Sequence, residues 1–274
     1  MSTTTLATED YQFLKDYIHR ESGILLDDDK HYLLTARLTP VIELLHMESL
    51  TALARALRGS SNPQLRKKVV EAMTTHETLF FRDASPFEAL KSTILPQLIK
   101  LRETSRTIRI WSAAASSGQE PYSLAMTLLE MGLEDWNLQI TGTDISEQIL
   151  SRAREGRYLQ IEVNRGLPAT HLVKYFEREG LDWRIKEPLR RMVRFLPFDL
   201  RRSLSAVGPF DLIFCRNVLI YFDIPTKKQI LAGLRGTLLP GGYLVLGGSE
   251  STLNLDETFL RIPVGRATFY QNPE

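Results

Sequence analysis

Residues Ile108–Ser123, IRIWSAAASSGQEPYS, decide how this chain is read. Ile108, Arg109, Ile110 and Trp111 alternate in a β-prone pattern and run into a cluster of small residues. Gly118, Glu120 and Pro121 then open a helical pattern. Strand, tight small-residue turn and helix is the arrangement by which an α/β sheet presents backbone N–H groups to a ligand at its carboxyl edge.

Downstream the same alternation continues. A helix is predicted from Pro121 to about Met131, with the proline at a favoured first-turn position. A strand follows over Leu138–Thr143. Ser146 then caps a helix over Glu147–Glu155, and the next strand is Val193–Pro197. The run FDLIFC, Phe210–Cys215, is apolar at every position but Asp211, the mark of a strand buried on both faces. A helix from about Thr226 to Leu239, a Pro240-Gly241-Gly242 turn and a strand over Tyr243–Leu246 come next. FLRIPVGRATFYQ reads as two strands around a Pro-Val-Gly turn. The pattern predicts an α/β fold, a doubly wound and mostly parallel sheet with one antiparallel strand near an edge. Arg157–Met192 is too long for a simple crossover. It reads as an inserted small β-subdomain with a hairpin turn at Glu179-Gly180, between KYFER and LDWRI.

Upstream the pattern is helical. Thr8 can cap a helix over 8–22, with Glu9 and Asp10 in its first turn. Asp27–Asp29 can start a second that runs to Leu45, with Pro40 as a kink or break. Ser49 caps a third that stops near Gly59, and Asn62-Pro63 starts a fourth. Four short helices over residues 1–75 make a helical domain, leaving 76–274 to the sheet, with the insert at about 157–192. Between them lies TTHETLFFR (74–82), and a further helix runs from Ser85-Pro86 to about Leu101. Local sequence alone favours a packed connector for TTHETLFFR over a contribution to a site.

With 274 residues, 43% hydrophobic and 24% charged, the composition is that of a globular protein. No apolar run approaches the roughly 18 residues of a membrane span. The N-terminus lacks a basic region followed by an apolar core, so a cytoplasmic location is expected. One cysteine, Cys215, excludes an internal disulfide and a thiolate-cluster metal site, and the five histidines show no metal spacing. A net charge of +1 argues against a general nucleic-acid binder. Arg55, Arg58, Arg66, Lys67 and Lys68 nevertheless form a run without an acid. It reads equally as a dock for an acidic partner or as a solvated face.

Three features carry chemistry. Asp144 ends the second sheet strand, where α/β nucleotide binders set an acid on ribose hydroxyls; the competing role is a helix N-terminal acid. The first turn, Ala113–Gly118, has one glycine and so is poor for cradling a diphosphate, while Glu120 would repel phosphate and suit a cation. That combination favours S-adenosylmethionine over a nicotinamide dinucleotide, with a structural first-turn acid as the alternative for Glu120. Finally FDLIFCRNVLIYF, Phe210–Phe222, delivers Arg216, Asn217 and Tyr221 after a buried strand, over the crevice where such sheets bind ligands.

TTHETLFFR, WSAAASSGQEPYSLA, GTDIS, FDL, FDLIFCRNVLIYF and LLPGGYLVLGGSE, in this order, resemble the CheR family of chemotaxis receptor methyltransferases. The resemblance covers essentially the whole chain. It implies a Rossmann-like S-adenosylmethionine methyltransferase sheet with an N-terminal helical domain. It also implies methyl transfer to glutamate side chains on the cytoplasmic helices of membrane chemoreceptors, for adaptation in chemotaxis, leaving S-adenosylhomocysteine. By the resemblance, His76, Thr78 and Arg82 line the cofactor or active site, against the connector reading. His76 stands where the family commonly has asparagine. Glu120 lies near the charged end of the cofactor, Asp144 on its ribose, Asp199 and Leu200 beside its adenine, and Arg216 and Asn217 close the pocket. Arg82 and Tyr221 face the substrate carboxylate as catalytic residues.

A glutamate side chain has a pKa of about 4.3, so at neutral pH it is already an anion and needs no general base. What the reaction needs is in-line placement, which Arg82 and Tyr221 can supply through hydrogen bonds. Some family members bind a pentapeptide at the receptor C-terminus through the β-subdomain, using a longer glycine-bearing loop. This chain has only Arg178–Leu181 there, which favours tether-independent recognition. No nucleic-acid partner, metal or membrane span is expected, and a monomer is. The rival readings are an RNA or small-molecule methyltransferase and a non-catalytic module that binds S-adenosylmethionine.

Overall fold

The computed structural model describes residues 6–27, 30–59 and 62–273. The chain divides into two compact units. One is helical, ends at Thr75 and takes in Tyr221–Thr226; the other begins at His76 and holds the sheet.

The helical unit contains Thr8–Ser22, His31–Leu44, Leu50–Gly59 and Pro63–Met73. Its core is built from the apolar faces of these helices, with Leu14, Ile18, Leu34, Leu38, Leu53 and Val69 fully buried. Ser49 accepts a hydrogen bond from the Ala52 N–H, and Asn62 accepts from Gln64 and Leu65, so two of the expected caps are present. Thr8 is not a cap. The helix already includes it, Ala7 stands at the cap position, and no side chain bonds there. The second helix starts at His31 after Lys30; Asp28 and Asp29 of the expected start lie outside the described residues. Pro40 stays inside that helix, one turn from its end. Tyr221 packs against this core, and its carbonyl accepts the Leu25 N–H at 2.9 Å.

The sheet unit opens with a helical stretch, Ser85–Ala89 and Leu95–Leu101, joined by a π turn over Leu90–Ile94. The turn shifts the bonding to Leu95 N–H with Leu90 C=O, just before Pro96, which has no N–H to give. The main sheet comprises β1 (Thr107–Ala113), β2 (Asn137–Asp144), β6 (Val193–Pro197), β7 (Phe210–Cys215), β8 (Leu238–Leu246), β9 (Leu260–Val264) and β10 (Ala267–Gln271). Its order is β6-β2-β1-β7-β8-β10-β9. β10 alone runs antiparallel to its neighbours, so the α/β class and the single reversed strand near an edge are as the sequence predicts. The expected Pro240-Gly241-Gly242 turn is instead a bulge within β8. Phe210 pairs with Leu238, yet Leu212 pairs with Tyr243, so the strand continues through the interruption.

Successive strands leave β1 on one side through β2 to β6, and the chain then returns to the other side with β7. The carboxyl ends of β1 and β7 therefore flank the switch point, where a crevice opens in sheets of this kind. Between β2 and β6 the chain makes a second sheet of β3 (Arg157–Leu159), β5 (Asp182–Ile185) and β4 (Phe176–Glu179), all antiparallel. It is anchored from beneath. Tyr158, buried, donates its hydroxyl to the Ser117 carbonyl at 2.8 Å. Phe80 meets Tyr158 and Phe176 edge-on. At Gly166 a Cβ would fall 2.1 Å from the Phe80 carbonyl oxygen, so only glycine fits against that backbone.

No helix among the described residues is long and apolar enough to cross a membrane. None of their His, Cys, Asp and Glu side chains cluster in threes to hold a metal ion.

Candidate active site

Two groups of polar side chains gather at the switch point. The first centres on Arg216, which follows the last residue of β7. Its side chain is 1% exposed. Nη1 donates to Glu120 Oε2 at 3.1 Å, while Nη2 donates to Asp83 Oδ2 at 2.6 Å and to the Arg82 carbonyl at 3.0 Å. Glu120 stands in the first turn of the helix Gln119–Glu130, where the helix dipole favours an acid. Its Oε1 accepts the Ser112 hydroxyl at 2.8 Å, so each carboxylate oxygen keeps one lone pair for a further donor.

The second group centres on Asp144 at the end of β2. Its Oδ2 accepts the Ser116 N–H at 3.0 Å and its Oδ1 the Ser146 N–H at 3.1 Å. Both bonds come from backbone. Burial pushes this carboxyl above the ordinary aspartate range. The Ser146 and Ser116 N–H groups and the charge of His76 pull the other way. The Ser116 hydroxyl donates to the His76 carbonyl at 2.7 Å, which ties the TTHETLFFR segment to the turn after β1.

Other predicted residues take separate places. Arg82 is half-buried and donates Nη1 to the Glu77 carbonyl at 3.0 Å; its remaining N–H groups make no bond among the described residues. Thr78 is half-buried in the same segment. Asp199 is clamped by Arg201, at 3.0 and 2.7 Å, and Leu200 beside it is buried. The Phe198 N–H, one residue before, donates to the Asp144 carbonyl at 2.9 Å, which brings that loop to the end of β2. Asn217 donates its backbone N–H to Glu250. Tyr221 lies in the segment that packs with the helical unit.

The backbone here is strained. Of the eight non-glycine residues with positive φ among the described residues, Phe81, Asp83, Ala114, Ser116 and Asn217 belong to the segments that frame these two groups. Such conformations cost of order 1–3 kcal/mol each and concentrate where a site requires a fixed shape.

Sequence reasoning missed Ser112, Asp83 and Ser116. Asp83 was readable as the residue after Arg82 in the same dense segment. Ser112 reads as the end of the first strand, Ile108–Ser112, and Ser116 is hidden among the small residues of the turn after it.

Comparison with known proteins fits this geometry. Residues 9–74 match the model of the CheR methyltransferase all-alpha domain, and residues 76–267 that of the CheR methyltransferase SAM binding domain. The chain is 41% identical over 271 residues to chemotaxis protein methyltransferase 1 of Pseudomonas aeruginosa, covering 97% of this chain and 98% of the relative. It is 39% identical to chemotaxis protein methyltransferase Cher2 of Pseudomonas putida, over 99% of each. It is 34% identical to the chemotaxis protein methyltransferase of Escherichia coli, over 94% of this chain and 90% of that one. The sheet unit is thus that of an S-adenosylmethionine-dependent methyltransferase. The chain belongs to the CheR methyltransferase family.

The residues present fit that cofactor. Asp83 and Glu120 both meet the one buried guanidinium of Arg216, an excess of negative charge that suits a sulfonium and an ammonium. Asn217 Oδ1 and Arg216 Nε are buried with no partner among the described residues, an acceptor and a donor left over for a ligand.

Proposed function

We propose that this chain methylates glutamate side-chain carboxylates of chemoreceptors, in the service of chemotactic adaptation. The observation that carries the reading is Arg82, which is half-buried and spends only one N–H on a partner among the described residues. Such a group takes a carboxylate in charge-assisted hydrogen bonds. The relatives' names as chemotaxis protein methyltransferases support the same reading.

S-adenosylmethionine, when bound, supplies a sulfonium methyl group that passes to a carboxylate oxygen as the S–C bond breaks and sulfur keeps its electron pair. Arg82 and Tyr221 orient the attacking carboxylate. Neither accepts a proton, because glutamate is already ionised at neutral pH. Too tight a grip by Arg82 would quench the nucleophile, so its role is placement. Glu120 and Arg216 hold the charged end of the cofactor, Asp144 its ribose, and Asp199 and Leu200 its adenine. His76, Thr78 and Asn217 complete the lining. The exposed Arg55 and Lys67, with Lys68, dock the acidic receptor helices. The turn at Gly180-Leu181 is short, and recognition is independent of a receptor C-terminal tether.

The test is transfer of labelled methyl from S-adenosylmethionine to receptor methylation helices. Alkali-labile label at glutamate supports the proposal. Label in RNA instead, or cofactor binding with no transfer to any receptor, refutes it.

A further inference from the structure

Glu250 lies in the turn after β8, four residues beyond Leu246, and sequence reading assigns it no role. Its carboxylate accepts four backbone hydrogen bonds. Oε2 takes the N–H groups of Asn217 and Gly247, both at 2.7 Å. Oε1 takes those of Val218 at 3.0 Å and Ile220 at 3.2 Å. Three of these donors lie in the loop directly after β7, some 30 residues away in sequence.

Local preference alone does not fix that loop. Asn217 sits at φ 57, in the left-handed region, which asparagine tolerates better than most residues but does not hold to the exclusion of other conformations. The fit is close as well. A Cβ at Gly247 would fall 2.7 Å from Glu250 Oε2, 2.8 Å from Asn217 Nδ2 and 2.9 Å from Asn217 N. Asn217 Oδ1 is meanwhile buried without a partner among the described residues. The side chain is thus held with its acceptor unused.

The geometry points to Glu250 as a positioning residue for cofactor binding and methyl transfer: its carboxylate fixes the loop 217–220 in the conformation that aims the Asn217 acceptor at the cofactor. A carboxylate suits this task because it offers about four lone-pair sites and no donor. A glutamine of the same shape turns one side into an NH2 group. That group faces two N–H donors, and both are left unsatisfied.

Glu250→Gln is therefore the decisive variant, with Glu250→Ala beside it. Both are read at a temperature where circular dichroism shows them fully folded. In Glu250→Gln, S-adenosylhomocysteine affinity by calorimetry is expected to fall about tenfold, and kcat with it. Amide exchange at Asn217, Val218 and Ile220 is expected to quicken while β1 and β7 stay protected. In Glu250→Ala, added formate is expected to restore S-adenosylhomocysteine affinity in a concentration-dependent way by refilling the four donors. A folded Glu250→Gln that binds S-adenosylhomocysteine and turns over like the wild type overturns the proposal, even if its melting temperature is lower. If Glu250→Ala does not fold, the glutamine variant decides alone. The binding readout needs no receptor, so its outcome is separate from that of the proposed substrate.

Discussion

Arg216 and Glu120 form an ion pair at 3.1 Å in which the guanidinium is 1% and the carboxylate 10% exposed. Ions so deep are destabilising when one partner is removed, because the other keeps the full cost of burial. Arg216→Met leaves Glu120 unpaired and should cost about 3–5 kcal/mol, lowering the melting temperature by roughly 6–20 °C. Adding Glu120→Gln to it should return most of that stability without restoring S-adenosylhomocysteine binding. Thermal melts and calorimetry on the three chains check this. A double variant that regains binding would assign the pair to folding alone.

Arg82 makes one side-chain bond among the described residues, which leaves the rest of its guanidinium available. Arg82→Ala is expected to lower kcat about a hundredfold while S-adenosylhomocysteine affinity stays within about twofold. Equal losses in the two would remove it from the substrate side.

Burial raises the Asp144 carboxyl, against the pull of the Ser146 N–H, His76 and the Ser116 N–H. A raised folded-state pKa means that the ionised form costs stability at neutral pH, and that this cost fades as the pH falls through the raised value. Ribose hydroxyls need the ionised acceptor. S-adenosylhomocysteine affinity should therefore be full at neutral pH and decline on acidification at a midpoint above the ordinary aspartate value of about 3.9. Asp144→Asn should bind weakly and show no such decline. Calorimetry across that range decides it. A wild-type affinity that is flat down to the ordinary value would detach Asp144 from the ribose.

In the basic run of the helical unit, Arg58 is paired with Asp10 at 2.7 Å and Arg66 with Glu21 at 3.0 Å. Reversing charge at Arg55, Lys67 and Lys68 together, which leaves these two pairs intact, should raise the receptor KM and leave S-adenosylhomocysteine affinity alone. Salt should raise the wild-type KM too, because such contacts are screened. Steady-state kinetics with receptor fragments measures both, and an unchanged KM would discard this face as the dock.

The elements that sequence reading located well are those whose signal is local. Val193–Pro197 and Phe210–Cys215 are apolar but for Arg194 and Asp211, and Glu147–Glu155 follows a serine that does bond the Ile149 N–H. The errors arise where partners are remote. Glu120 reads as a lone acid awaiting a cation, but it is also bound by an arginine 96 residues away, which no local pattern announces. The Pro240–Gly242 bulge looks like a turn because its strand pairing depends on Phe210 and Leu212, far upstream. Thr8 has the chemistry of a cap, yet the helix starts at it rather than after it. Asp144, by contrast, was placed at a strand end by spacing alone, and that is where it stands.

The seating of Tyr158 under Ser117, and of Gly166 against Phe80, divides the inserted subdomain into two zones with different freedom to vary. Its base is part of the wall behind the turn after β1, so trimming β3 or the Gly166 loop would unseat Phe80 and that turn together. Its tip, where Leu181 is 85% exposed and no Cβ at Gly180 would meet another atom within 4 Å, touches nothing that the site requires. Lineages of this fold can therefore rewrite, lengthen or lose the tip without renegotiating the chemistry. The same boundary marks where an engineer can graft a new recognition loop.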